Sequence, residues 1–203
     1  MRKHRVSMLK IDYIVNRIFN SITYIISTGG KECWLVDCGD AEKVLRQGWL
    51  VQGVLLTHAH FDHIYGLNTL INTFPNAKIV TNIDGKSTLQ NPRWNFSHYH
   101  EEVLDFIFQK PDNVCEIVGG NEIELFEGVS AKCIEVPGHD PSCVSYIVEN
   151  SVFTGDAYIP GVKTIVNFPR SNKLQAVDSM SRLQSFEAQG LRILPGHWSD
   201  VIA

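Results

Sequence analysis

Apolar positions in the first third of the chain fall in short runs with strand character. "KIDYIVN" (10–16), "SITYIIST" (21–28) and "CWLVD" (33–37) are β-branched or aromatic and end at turn residues, so they predict strands. "DAEKVLRQGW" (40–49) predicts a short helix with Asp40 as its N-cap. "GVLLT" (53–57) is a continuous apolar run of the kind that fills a strand covered on both faces. The spacing of Ile64, Leu67, Leu70 and Ile71 predicts a helix over 64–74. A strand at 77–82 and a short helix at 84–92, stopped by Pro92, follow.

Residues 93–113 have no clear period, although "RWNFSHYH" is rich in aromatic and imidazole groups. Five short strands are predicted beyond them, at 115–118, 122–126, 129–136, 143–149 and 151–155. Residues 172–190 read as an amphipathic helix with Leu174, Val177, Met180, Leu183 and Phe186 as its apolar stripe and Gly190 past its end. A strand and a loop close the sequence in "LRILPGHW". Strands followed by a helix or two, twice over, point to two sheets with helices outside. With 203 residues and no linker or repeat, the expectation is one domain over 1–203, with 1–9 as a mobile, basic N-terminus.

Composition narrows the function. The net charge of −4 gives no basic field for nucleic acid, and no apolar run is long enough to span a membrane. The N-terminus has no apolar segment of the secretory type. Cys33, Cys38, Cys115, Cys133 and Cys143 are odd in number and form no CxxC pair. They read as free thiols in a reducing cytoplasm, not as disulfides or a structural zinc site.

The chemistry lies in "THAHFDH" (57–63), which holds three of the 8 histidines and one aspartate straight after an apolar strand. Three further candidates each follow an apolar run and a glycine: His139 in "VPGHD", Asp156 in "FTGDA" and His197 in "LPGH". A glycine beside a ligand lets the backbone turn tightly and approach a centre closely. His58, His60, Asp62, His63, His139, Asp156 and His197 make a nitrogen and oxygen donor set suited to Zn²⁺, Fe or Mn²⁺. Accumulating that many buried imidazoles and carboxylates without a partner is costly, so a metal site is the economical reading. His98 and His100 have ligand-like spacing but no glycine turn, and they are set aside as ligands.

In order and separation, these four motifs resemble those of the metallo-β-lactamase-fold hydrolases, and Asp37 in "WLVDCGD" matches that family's early aspartate. The resemblance runs from about residue 10 to the C-terminus. It implies an α/β fold, a four-layer αββα sandwich of two mixed sheets with a dinuclear centre at one edge. His58, His60 and His139 would then hold one metal, Asp62, His63 and His197 a second, with Asp156 bridging and Asp37 orienting a ligand from behind. Two divalent ions, zinc before iron or manganese, would lower the pKa of bound water to about 7 and polarise a carbonyl. Asp62 would serve as both ligand and catalytic group. Ester, thioester or amide hydrolysis of a small molecule is the implied reaction class.

Within the family, an aspartate at 156 differs from the cysteine or serine typical of β-lactam-hydrolysing members, and His60 differs from the carboxylate usual in oxygen-reducing di-iron members. "FNSITYII", "LQNPRWNFS" and "FTGDA" resemble the glyoxalase II-like branch, the hydroxyacylglutathione hydrolases, in a single-domain form. Asp140 and Pro141 replace the small or hydroxyl residues usual after "PGH", and "AYIPGVK" replaces the usual "TLF" after Asp156, so glutathione as carrier does not follow. Persulfide dioxygenases and lactonases on the same fold stay as alternatives; the first would use one iron on His58, His139 and Asp156. Lys163, Arg170 and Tyr158 are candidates for substrate binding, with Trp94, Phe96 and Tyr99 at the mouth of the site. The sequence leaves the oligomeric state open.

Overall fold

The computed structural model describes residues 8–101 and 103–198. The first sheet has six strands in chain order: β1 (Lys10–Val15), β2 (Ile22–Ser27), β3 (Glu32–Val36), β4 (Leu50–Leu55), β5 (Lys78–Thr81) and β6 (Val114–Glu116). The β1–β2 and β2–β3 pairs are antiparallel, whereas β3 to β6 run parallel. Between the parallel strands lie α1 (Ala41–Arg46), α2 (Phe61–Ile64), α3 (Leu67–Thr73) and α4 (Ile83–Thr88). The second sheet has the order β11 (Arg192–Pro195), β10 (Ser151–Gly155), β9 (Val144–Val148), β8 (Val129–Glu135) and β7 (Glu122–Phe126). It is antiparallel except for the β10–β11 pair, and α5 (Lys173–Ala188) supplies the crossover between those two strands.

Strand alternation divides the core into three layers. In β2 and β3, Ile22, Tyr24, Ile26, Trp34 and Val36 face the second sheet, where they meet Cys133, Val144, Tyr146 and Phe153. Their neighbours Ile25, Cys33 and Leu35 face outward onto Val44, Leu67, Leu70 and Ile71 of α1 and α3. Behind the second sheet, Ile134, Val136 and Val152 pack on Leu183 of α5. The result is the expected αββα sandwich. Polar tips that enter the middle layer find partners: the Tyr146 hydroxyl donates to the carbonyls of Leu56 (2.8 Å) and Val80 (3.1 Å), and Trp34 Nε1 donates to the Leu125 carbonyl (2.9 Å). Those bonds cross from one sheet to the other and fix their separation. No helix among the described residues is long and apolar enough to cross a membrane.

Three local expectations are corrected. The helix expected over 64–74 is two helices, because the Gly66 amide donates to the Cys38 carbonyl (3.0 Å) and the His63 carbonyl accepts from the Cys38 amide (2.8 Å), so neither bonds within one continuous helix. Asp40 precedes α1 without capping it by its side chain. Its carboxylate instead accepts from Arg17 Nε (2.9 Å) and the Tyr65 hydroxyl (2.6 Å) and lies 2.7 Å from Lys43 Nζ, tying α1 to the turn after β1. In α5, Leu174 and Val177 are exposed, whereas Ala176, Ser179 and Leu183 are buried. A stripe stepped by threes drifts about 60° per step around a helix of 3.6 residues per turn, so its first members leave the packed face. Of the proposed mobile terminus, residues 1–7 lie outside the described residues.

Candidate metal centre

The parallel register of β3, β4 and β5 brings the loops at their C-terminal ends to one edge of the sandwich. β4 ends at Leu55, and the chain then passes through Thr57, His58 and His60 into α2, whose first turn carries Asp62 and His63. The second sheet delivers His139 beyond β8, Asp156 at the end of β10 and His197 beyond β11 to the same edge. Two glycines make this convergence possible. Gly155 has φ +52, and a Cβ there would meet Thr57 Oγ1 at 2.4 Å; a Cβ on Gly196 would meet Asp156 Oδ1 at 2.3 Å.

Seven donor residues meet there. Ligand atoms of His58, His60 and His139 lie within 4.8 Å of one another, and so do those of Asp62, His63 and His197. Asp156 stands between the two groups: its Oδ2 is 3.9 Å from His58 Nε2, 3.7 Å from His139 Nε2 and 3.5 Å from His197 Nε2. Its Oδ1 is 3.6 Å from His63 Nε2. Asp62 Oδ2 is 3.2 Å from both His63 Nε2 and His197 Nε2.

Four of the five imidazoles turn their other nitrogen to a hydrogen-bond partner behind the cluster. His63 Nδ1 lies 2.9 Å from Asp37 Oδ2, and that carboxylate also accepts from the amide and hydroxyl of Thr57 (both 2.7 Å). His58 Nδ1 is 3.2 Å from Thr57 Oγ1. His139 Nδ1 donates to the Ile165 carbonyl (2.8 Å) and His197 Nδ1 to the Phe19 carbonyl (3.1 Å). His60 is reversed: its Nδ1 faces His139 Nε2 at 3.1 Å, and its Nε2 points back to Asp140 Oδ2 at 3.7 Å. Such outer partners fix ring orientation and tautomer.

Burial raises the cost of charge on Asp62 and Asp156, but the imidazoles around them, His63 foremost, outweigh it and hold both carboxyls ionised. His58 and His139 are driven towards the neutral form by burial. Burial also disfavours charge on His197, but Asp156 and Asp62 push it up to about 9. Two buried atoms aimed into the cluster, His58 Nε2 and Asp156 Oδ1, have no hydrogen-bond partner. Orphaned buried donors and acceptors are rare, and an ion is a standard reason for them. The neutral rings of His58 and His139, the ionised carboxylates and the orphaned inward atoms together fit a divalent metal.

The cluster forms the floor of a cavity of about 630 Å³. Of the candidate substrate and mouth residues, Phe96, Tyr99 and Lys163 line it. Arg170 and Tyr158 are elsewhere. The Arg170 guanidinium stacks 4.6 Å over the Trp94 ring, bonds Asp84 at 3.1 Å and lies 3.9 Å from Asp140, while the Tyr158 hydroxyl donates to Glu187 on α5 (2.6 Å). Both are occupied by other parts of the fold, and neither lines the cavity, nor does Trp94. His98 lies 3.1 Å from Asp105 at the surface, whereas His100 packs at a tilt against Phe19 and Phe61 on the cavity lining. Sequence reasoning missed Phe168, which packs on His60 and His139, the carbonyls of Phe19 and Ile165, and the contact of Asp140 with His60. For Asp140 a signal existed, its unusual place directly after "PGH".

The sequence pattern of the family described as the metallo-beta-lactamase superfamily matches residues 17–197. A hydroxyacylglutathione hydrolase of Aliivibrio fischeri is 29% identical over 139 residues, covering 66% of this chain and 45% of that protein. The chain thus spans about half the length of that relative. Among solved structures, the BLEG-1 B3 metallo-beta-lactamase superposes with a TM-score of 0.80 at 22% identity, over 93% of this chain and 91% of that one. TTHA1623, solved in a di-iron-bound form, gives 0.75 at 23% identity over 92% and 91%. At such identities these structures speak for the fold.

Proposed function

The chain belongs to the metallo-beta-lactamase superfamily, and on that premise we propose that it is a hydrolase that cleaves a thioester or ester of a small molecule at a two-metal centre. The observation that supports this reading most directly is the convergence of seven donors, two groups of three with Asp156 between them, beneath an open cavity that five of the seven line. His58, His60 and His139 would hold one ion, Asp62, His63 and His197 the other, with Asp156 between them. When bound, divalent metal, zinc first, supplies an acidified water at neutral pH and electrophilic stabilisation of a developing oxyanion.

The residues of the chain do the rest. Asp62 lines the cavity and is held ionised, so it can accept a hydrogen bond from the attacking water and orient it. Water adds to the carbonyl carbon, the C–S or C–O bond breaks, and a carboxylate and a thiol or alcohol leave. Asp37 keeps the His63 ring aligned through the transfer. The kinship to hydroxyacylglutathione hydrolases supports the thioester class. A dioxygenase with one iron on His58, His139 and Asp156 would leave Asp62, His63 and His197 without an occupant, and their close mutual packing favours the two-ion reading. Five free cysteines, four of them buried, support a reducing, cytoplasmic setting.

The test is release of thiol from model thioesters by protein loaded with zinc. The proposal expects turnover that a chelator abolishes and added metal restores. Chelator-resistant turnover would contradict it.

A further inference from the structure

The walls of the cavity indicate what the centre is built to receive. Above the donors they are formed by Phe19, Phe96, Phe168, Ile159, Val162 and Ile165. Phe96 and Phe168 lie 4.9 Å apart by ring centroid, and they approach the His60 ring at 4.7 and 5.5 Å. The apolar surface therefore reaches down to the donors themselves. Phe19 and Phe96 both sit at positive φ, +51° and +66°, a backbone region bulky side chains rarely enter. Such strain persists only where the surroundings enforce it, and it clusters at functional sites. Two aromatic side chains are thus held in unfavourable backbone at the wall of one cavity.

Charge is scarce on those walls. Asp62, Asp156 and the histidines of the floor belong to the centre, which leaves Lys163 as the one lysine or arginine among the described residues on the lining. Arg170 is committed to Asp84 and Trp94. A glutathione carrier brings two carboxylates and an ammonium group, and the described residues of these walls offer it one cation and no carboxylate beyond those of the centre.

We propose that the substrate is the thioester or ester of an apolar acyl acid, a medium-length chain or an aromatic ring. Its hydrocarbon would lie between Phe96, Phe168 and Val162, and its leaving group would be a small thiol or alcohol, not a glutathione tripeptide. This rests on the hydrolase reading above. Burying one more methylene against such walls raises kcat/KM about three- to fourfold until the cavity is filled.

The experiment measures kcat/KM of the metal-loaded protein on thioesters of one small neutral thiol, with acyl groups from acetyl through butyryl and hexanoyl to octanoyl, beside S-lactoylglutathione. The expected result is a stepwise rise along the series, with octanoyl well ahead of S-lactoylglutathione. Phe168→Ala should reduce the octanoyl-to-acetyl ratio about tenfold; should that variant misfold, Val162→Ser reads the same ratio. A flat or falling series, a best rate on S-lactoylglutathione, or a ratio unmoved in a folded variant overturns the apolar-acyl assignment and leaves hydrolysis standing. No turnover of any member would end the hydrolase reading and this assignment with it.

Discussion

Asp140 Oδ2 lies 3.7 Å from His60 Nε2, and its other oxygen accepts the Ser142 amide at 2.8 Å. Burial raises the cost of ionising Asp140, yet the His60 ring beside it and the hydrogen bond from Ser142 bring its carboxyl down to about 2. The carboxylate thus stands behind the one histidine of the cluster that turns Nδ1 inward. Asp140→Asn keeps the shape and removes the charge. It should weaken metal binding about 10- to 100-fold, as loss of such outer partners does. Metal affinity measured by competition with a chromogenic chelator checks this, and wild-type affinity would reduce Asp140 to a packing residue.

Asp62→Ala should leave the fold intact, since the side chain faces the cavity rather than the core. It should lower kcat on any substrate at least about 100-fold, the scale of a mispositioned attacking water. Circular dichroism and steady-state rates, taken together, separate this from unfolding. Turnover near wild type would remove Asp62 from the chemistry.

Asp40 sits away from the centre and makes a cleaner pH prediction. Burial acts to raise its pKa, but Lys43, Tyr65 and Arg17 outweigh that and hold it at about 2, below the ordinary 3.8. A depressed carboxyl stabilises the fold at every pH above its unfolded value and loses that contribution as pH falls through its folded value. The stabilisation should therefore be complete above about pH 4 and fade towards pH 2. Because the Arg17 side chain is 78% exposed, about 1–2 kcal/mol is expected, less than the full shift implies. Urea titrations of wild type and Asp40→Asn should differ by that amount at neutral pH and converge at low pH. A constant gap would refute the ionic account.

Tyr146→Phe should cost about 1–3 kcal/mol, because it leaves the Leu56 and Val80 carbonyls without the hydroxyl that joins the two sheets. A fall in Tm without loss of metal checks it; an unchanged Tm would show that those carbonyls find other partners.

The donor set was legible because it rests on residue type. Histidines and aspartates stand next to glycine turns at strand ends, and few other roles collect them there. The strands could be read for a similar reason, since runs such as "ITYIIS" and "ECWLV" fill with apolar side chains when both faces are covered. What the sequence hid depends on backbone or on distant partners. The supports of His139 and His197 are carbonyls of Ile165 and Phe19, which any residue could supply. Arg170 looked available because its partners Asp84 and Trp94 lie far away in sequence. Asp40 had the chemistry of an N-cap, and only the fold shows that Arg17 and Tyr65 claim it first.

The central claim is a centre of two ions sharing Asp156. It is tested most directly by elemental analysis of protein purified without chelator or affinity metal, beside Asp156→Ala prepared identically. The account predicts close to two divalent ions per wild-type chain and a clear loss from the variant. Metal near zero in wild type that cannot be restored, or equal metal in both proteins, would contradict it.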